Sequence, residues 1–384
     1  GSRFRGNVAS TLTAADDTLL TQAASGSFTY QNPIRKTADP RIALVDGMYF
    51  YMFTSGSTLS MYKAANVADL AYAVGEQIFD ARTASDAMET RTACIWPSEL
   101  QYFSAEEFGA ANAGWYLFFS TFSRELDGLP STATDGQSRR SYVLKCTSND
   151  LQGTWVNPIT GEVGVPARFT SDTEDFVNTV DWCAGESTLR YGGKTYALWI
   201  EQRGRGTADF RQVMYLSEMK NPWTVTGKVL ELVAPEYDWE REGYGYAEAE
   251  GKWYPAVIEG ATPIVGDNGE LHVLYACSGY WTTGYKLGQM TYLGGDLLAK
   301  ESWKKSPQAV FSKNDEVCGV GGPSIFTSPN GKTRCILYHG YLGKDTSSGR
   351  YCFMEPYTVD ADGVHIGKDG HPSPLTTTFT VPLN

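Results

Sequence analysis

The stretch RIALVDGMYFYMF, residues 41–53, is an apolar strand, an Asp-Gly turn and a second apolar, aromatic strand. Asp46-Gly47 supplies the positive φ that a tight hairpin turn demands. The same unit returns four times. ELQYF (99–103) runs through a longer loop to Gly114 and WYLFF (115–119), and STLRY (187–191) turns at Gly192-Gly193 into KTYALW (194–199). TPIV (262–265) turns at Asn268-Gly269 into ELHVLY (270–275), and PSIF (323–326) turns at Asn330-Gly331 into KTRCILY (332–338). The turn positions 46, 114, 192, 268 and 330 are 68, 78, 76 and 62 residues apart. Each interval suits one four-stranded blade with its loops. No long helical periodicity interrupts the series, apart from one short helical loop near Ala105. The spacing predicts an all-β chain, a five-bladed β-propeller over residues 28–384. A β-sandwich also uses hairpins, but five similar ones at long, near-constant spacing favour the propeller.

Residues 1–27 read as a tag remnant, Gly1-Ser2, followed by a linker rich in Ala, Thr, Ser and Asp. The expected location is secreted or cell-envelope, the leader having been removed, with the cytoplasm as the alternative. No apolar run approaches the ~20 residues that cross a bilayer. The 32 Lys and Arg against 44 Asp and Glu leave a net charge of −12. That surface repels phosphate backbones and anionic lipid, so a nucleic-acid partner is not expected and a neutral ligand is. The seven Cys form no C-x-x-C pair and only four His are present, which argues against a Cys/His zinc site. Aromatics make up 13% of the chain, with 10 Trp and 23 Tyr. They divide between strand packing and ring faces that stack on sugars.

In a propeller the residues just ahead of each hairpin's first strand reach the mouth of the central channel. Here they include Asp39, Glu99, Asp181 and Glu259, with Gly322-Pro323 in the fifth repeat. Gathering carboxylates is costly, because like charges raise each other's pKa. Glycoside hydrolysis needs that arrangement: one carboxyl stays protonated to serve the leaving oxygen, and another stays ionised on the opposite face of the ring. Glu259 sits among apolar residues, Val257-Ile258 and Ala261, which favours its neutral form and the role of acid. Asp39, in Thr37-Ala38-Asp39-Pro40, then suits the base. The rival reading has Asp39 and Asp181 capping turns and Glu259 paired with an Arg.

Taken in order, these segments resemble family 43 of the glycoside hydrolases, and most of all its exo-acting α-L-arabinofuranosidases. Asn32-Pro33-Ile34 followed by Ala38-Asp39-Pro40 is similar to the family's opening, where the Asp is the general base. Trp96-Pro97-Ser98-Glu99-Leu100 resembles the Trp-Ala-Pro-Glu-Leu signature beside the substrate pocket. Val180-Asp181 resembles the segment of the pKa-modulating Asp, and Glu259-Gly260-Ala261 that of the general acid. Tyr338-His339-Gly340 is similar to the closing Tyr-His-Ala. The resemblance spans residues 28 to 384 and implies Asp39, Asp181 and Glu259 as catalytic carboxylates. It departs at Gly319-Val320-Gly321-Gly322, where the family often has Gly-Pro-Gly-His and uses that His for a central metal. Gly322 therefore argues against a structural calcium on the axis, and no cofactor is expected. The segment Tyr244 to Trp253 looks like an insertion beside the acid.

Trp96 and Trp182 each read as pocket wall or blade packing, His339 as sugar ligand or channel filler, and Arg350 as sugar ligand or surface residue. Trp96, Glu99, Trp182, His339 and Arg350 are the expected substrate-binding set. Glu240, Glu242, Glu248 and Glu250 read as a solvated acidic loop. The expected function is an inverting exo-α-L-arabinofuranosidase acting on neutral oligosaccharide or polysaccharide. The rivals are a β-xylosidase or exo-galactanase of the same family and a sugar-binding propeller without catalysis.

Overall fold

The computed structural model describes residues 26–54, 56–88, 94–122 and 139–382. The expected linker lies outside these residues up to position 25. The chain forms the five blades that the hairpins predict. Blade 1 is built from Arg41–Val45, Met48–Met52, Thr58–Ala64 and Glu76–Asp80. Blade 2 has Trp96–Phe103, Gly114–Phe122 and Arg139–Cys146, with short outer strands. Blade 3 has Cys183–Tyr191, Lys194–Arg203, Arg211–Asn221 and Thr224–Val233. Blade 4 has Ile258–Val265, Leu271–Cys277, Lys286–Tyr292 and Trp303–Lys305. Blade 5 has Val317–Thr327, Arg334–Leu342, Arg350–Val359 and Val364–Ile366. Within each blade these strands are antiparallel and in chain order.

Each inner strand packs on the next, and the inner strand of blade 5 packs on that of blade 1, which closes the ring. Every blade thus has two buried faces. That is why its strands read as near-continuous apolar runs: Met48 to Met52 are all buried. Apolar clusters fill the space between blades, as with Phe118, Val143, Ala197 and Trp199 between blades 2 and 3. Leu274, Leu287, Ile336 and Phe353 do the same between blades 4 and 5. Most aromatic residues are absorbed in this packing. Six of the seven Cys are buried, in keeping with small apolar side chains. The short helical loop appears as Ala105–Phe108, closed by a Ser104/Glu107 capping box. A helix at Ala81–Met88 has no forerunner in the sequence reading.

The ring is also held from outside. Ser27–Tyr30 pairs antiparallel with Phe379–Pro382, and the Tyr30 and Phe379 rings stack at 5.1 Å. The chain leading into blade 1 is pinned to blade 5 by Asn32. Its amide donates to the Met354 carbonyl and accepts from the Met354 N–H, both at 2.9 Å. Asn32→Ala strands the Met354 N–H in a buried site and leaves the Met354 carbonyl only the Tyr30 hydroxyl at 3.2 Å. It is expected to cost about 1–3 kcal/mol, measured as a lower midpoint in denaturant unfolding with an unchanged slope.

Candidate active site

Side chains reach the channel mouth because the inner strands are irregular there. The ladder shifts register between Pro97 and Glu99, between Ala184 and Ser187, and between Glu259 and Thr262. Such bulges re-aim side chains near the end of a strand. The bulge after Glu259 is allowed by Gly260, whose φ of 65° a residue with a Cβ adopts poorly. Asp39 itself sits at φ 51°, a left-handed conformation that Asp tolerates better than most residues.

Asp39 and Glu259 line one pocket, together with Trp96, Trp182, Tyr285 and Gly322. Asp39 is locked from several directions. Its N–H donates to His339 Nδ1 at 3.1 Å, and its Oδ2 accepts from the Thr54 hydroxyl at 2.7 Å. Arg350 lies 3.7 Å from Oδ2. Burial works against ionisation of Asp39, but His339, Arg350 and Arg41 overcome it and hold the carboxyl well below the ordinary range. His339 is fully buried, and burial drives its imidazole below the usual His value. Its ring stacks on Tyr285 at 5.4 Å and 15°. The Tyr285 hydroxyl donates to Glu259 Oε1 at 2.8 Å. Burial, and then the nearby negative charge of Asp39, push Glu259 up to about 7, against the pull of Tyr285, Arg350 and Arg41. One chain of contacts, Asp39–His339–Tyr285–Glu259, thus joins two carboxyls of opposite tendency across blades 1, 5 and 4.

The other expected residues are placed differently from one another. Trp96 and Trp182 meet edge to face at 6.0 Å and wall the pocket. Arg350 lines an adjoining pocket that shares Trp96, Trp182 and Glu259 with the first, its guanidinium 4.6 Å from the centre of the Tyr280 ring. Asp181 is buried and turned to Arg205, whose Nε donates to Oδ1 at 2.6 Å. Burial raises the Asp181 carboxyl, and Arg205 opposes the shift. Glu99 does not line the pocket that holds Glu259. It faces the next section of the channel, with Ser187, Thr188 and Thr262, where burial raises it to about 7. Residues that sequence reasoning missed complete the outer wall: Gln202, Gln212 and Trp281. Gln202 and Gln212 are directly opposite each other in blade 3. Nothing in their local sequence marks them, since only strand pairing brings them together. The segment read as an insertion forms a hairpin, Gly245–Ala247 with Lys252–Tyr254, and Tyr254 packs on Trp281 at 5.3 Å.

The sequence pattern of "Glycosyl hydrolases family 43" matches residues 30–365. The chain belongs to this family. Hydrolysis of a glycosidic bond with inversion is the family's reaction. Similar relatives are two proteins named extracellular exo-α-(1→5)-L-arabinofuranosidase. That of Streptomyces avermitilis is 29% identical over 346 residues, 88% of this chain and 61% of the relative. That of Streptomyces chartreusis is 28% identical over 335 residues, 85% of this chain and 87% of the relative. The chain therefore spans less than two thirds of the first relative's length. The crystal structure of an α-L-arabinofuranosidase from Lactobacillus brevis shares the fold, with a TM-score of 0.68 at 24% identity. The match covers 93% of this chain and 99% of that one.

Gly322 stands where the sequence reading expects a metal-binding His. A side chain there would crowd its neighbours. A Cβ at Gly322, where φ is 62°, would lie 2.8 Å from Asp39 Oδ1 and 3.0 Å from the His339 ring. The main-chain carbonyl of Gly322 is itself occupied by Arg41. Among the described residues no group of three or more His, Cys, Asp or Glu is arranged to hold a metal. Gly322→Ala tests how tightly the cradle is built. It is expected to destabilise the fold by about 1–3 kcal/mol through backbone strain and to lower turnover by displacing Asp39. Denaturant unfolding and steady-state kinetics read the two effects.

Proposed function

We propose that this chain is an inverting, exo-acting α-L-arabinofuranosidase in which Asp39 is the general base and Glu259 the general acid. The observation that carries this reading is the opposite bias of two carboxyls in one pocket: Asp39 is held ionised and Glu259 is held neutral up to about pH 7. Glu259 Oε1 accepts from Tyr285, which leaves Oε2 to carry the proton. That proton passes to the glycosidic oxygen as its bond to the anomeric carbon breaks. Asp39 takes a proton from water, whose oxygen attacks the same carbon from the other face. The products are a free sugar of inverted configuration and the leaving alcohol.

Trp96 and Trp182 stack on or enclose the terminal sugar, and Arg350 donates to its hydroxyls. His339 orients Asp39 through the bond it accepts from the Asp39 N–H. Asp181 acts from the rim of blade 3, where its pair with Arg205 positions the segment that carries Trp182. The strongest charges on Glu259 are those of Asp39, Arg350 and Arg41. The arabinose assignment draws on the names of the two Streptomyces relatives. So does an extracellular setting; no helix among the described residues is long and apolar enough to cross a membrane. A neutral glycan fits the net charge of −12. No metal or organic cofactor enters this scheme.

A panel of aryl glycosides and arabino-oligosaccharides tests the reading. Aryl α-L-arabinofuranoside should be cleaved, single arabinose units should leave oligosaccharides, and the viscosity of polymeric arabinan should hardly fall. Cleavage of aryl β-xyloside or β-galactoside with none of the arabinofuranoside would overturn the sugar but not the chemistry. The active form pairs a protonated Glu259 with an ionised Asp39. The kcat/KM should therefore be level on the acid side and fall roughly tenfold per pH unit above about 7. A flat profile through pH 9 would remove Glu259 from the role of acid.

A further inference from the structure

The inner strands bring main-chain carbonyls to the axis as well as side chains. Four of these carbonyls, of Pro40, Pro97, Gly322 and Pro323, come from blades 1, 2 and 5 and converge on one guanidinium. Arg41 Nε donates to Pro97 O at 3.2 Å. Its Nη1 faces Pro40 O at 3.1 Å, Gly322 O at 3.2 Å and Pro323 O at 2.8 Å. The side chain is more than nine-tenths buried, with the residue 8% exposed. It borders the pocket that contains Asp39 and Glu259. Carbonyl oxygens that face one another out of water need a donor between them. A charge buried among them must be repaid by hydrogen bonds, and this one is.

We propose that Arg41 is the built-in axial cation of this propeller, a positioning residue that fastens the rims of blades 1, 2 and 5 and lends its charge to both Asp39 and Glu259. The inference rests on the reading of those two residues as base and acid. A guanidinium suits the task because its fork reaches carbonyls on separate blades at once, which a lysine's point charge does not reproduce. The charged and titratable groups around it act in concert. Asp39, Glu259 and, further along the channel, Glu99 are all drawn down by Arg41. His339 is disfavoured as a cation by Arg350 and Arg41 together. Tyr285, bonded to Glu259, stays protonated because it is buried. Arg41 also occupies the Gly322 carbonyl beside the crowded Cα, so local charge balance at this level comes from the chain itself.

Two variants, Arg41→Met and Arg41→Lys, test this on whichever aryl glycoside the wild type cleaves best. Both are first checked for folding by circular dichroism and thermal unfolding. Arg41→Met should lose about ten- to a hundred-fold in kcat through misplacement of the rims, with a smaller change in KM. The alkaline limb of its pH profile should move to higher pH, because removing a positive charge raises Glu259. Arg41→Lys should keep the wild-type alkaline limb while still losing kcat. A folded Arg41→Met with the wild-type alkaline limb would overturn the proposal, as would an Arg41→Lys with wild-type kcat. If Arg41→Met does not fold, Arg41→Lys alone decides: lost kcat with an unmoved alkaline limb supports the proposal, and a displaced limb refutes it. The underlying reading fails separately. If Glu259→Gln retains the alkaline limb, that limb belongs to another group, while Arg41 is still judged by whether its removal moves the limb.

Discussion

Five strands that converge on one axis create an electrostatic problem, and the Arg41 guanidinium is the interaction that resolves it. The bulges and left-handed residues that open the channel mouth also turn carbonyls inward, away from their ladder partners. Without a buried donor those oxygens would demand water or would push the rims apart. Arg41 gathers the carbonyls of three blades, and its position two residues after Asp39 places that donor beside the carboxylate it helps to ionise. The packing between blades fixes the ring as a whole. The guanidinium fixes the few ångströms at its end where chemistry takes place.

Two carboxyls near each other ordinarily compete for one proton. Here the competition is settled by asymmetry of surroundings. Asp39 has cations and a donor around it, Arg350, Arg41 and the Thr54 hydroxyl, and its N–H is bonded to the His339 ring. Glu259 has burial, the charge of Asp39 and a single phenol. The stacked His339 and Tyr285 rings separate the two environments. A site that already holds its charges in place spends little reorganisation when charge develops on the sugar.

The fold was legible because its signals are local. Asp46-Gly47, Gly192-Gly193, Asn268-Gly269 and Asn330-Gly331 mark tight turns wherever they occur, and buried strands are apolar whatever lies beside them. That Asp39 and Glu259 meet at one pocket was legible as well, one lying before a strand and the other in an apolar run at its start. Counting back from a hairpin turn worked less well in blade 2. The inner strand there begins at Trp96, so Glu99 lies three residues inside it and beyond the register shift at Pro97. A bulge alters which face a later residue presents, and no residue type announces it reliably. Arg41 and Gln212 were hidden for another reason. The carbonyls that Arg41 binds carry no side-chain signature, and Gln212 faces Gln202 only through strand pairing. Tyr285 carries no signal of its own in the sequence; its place is set by the His339 ring of blade 5 stacked against it.

The propeller offers this chemistry something that a single sheet does not. Inverting hydrolysis needs two carboxyls on opposite sides of a sugar with a water between. Residues on one strand or on neighbouring strands are too close for that and too similar in environment. The proposed base, Asp39, lies just ahead of the inner strand of blade 1, and the proposed acid, Glu259, lies at the bulged start of the inner strand of blade 4, so each has its own neighbours. Blade 5 lies between them in the ring, and it contributes His339 and Arg350, the two residues that touch Asp39 from that side. Loops can then change independently around the rim. The hairpin at Gly245–Tyr254 is such a change: it joins Trp281 at the pocket wall without disturbing the inner strands below. Substrate preference is thus free to drift at the rim, while the proton arrangement, fixed by main-chain carbonyls and buried rings, stays in place.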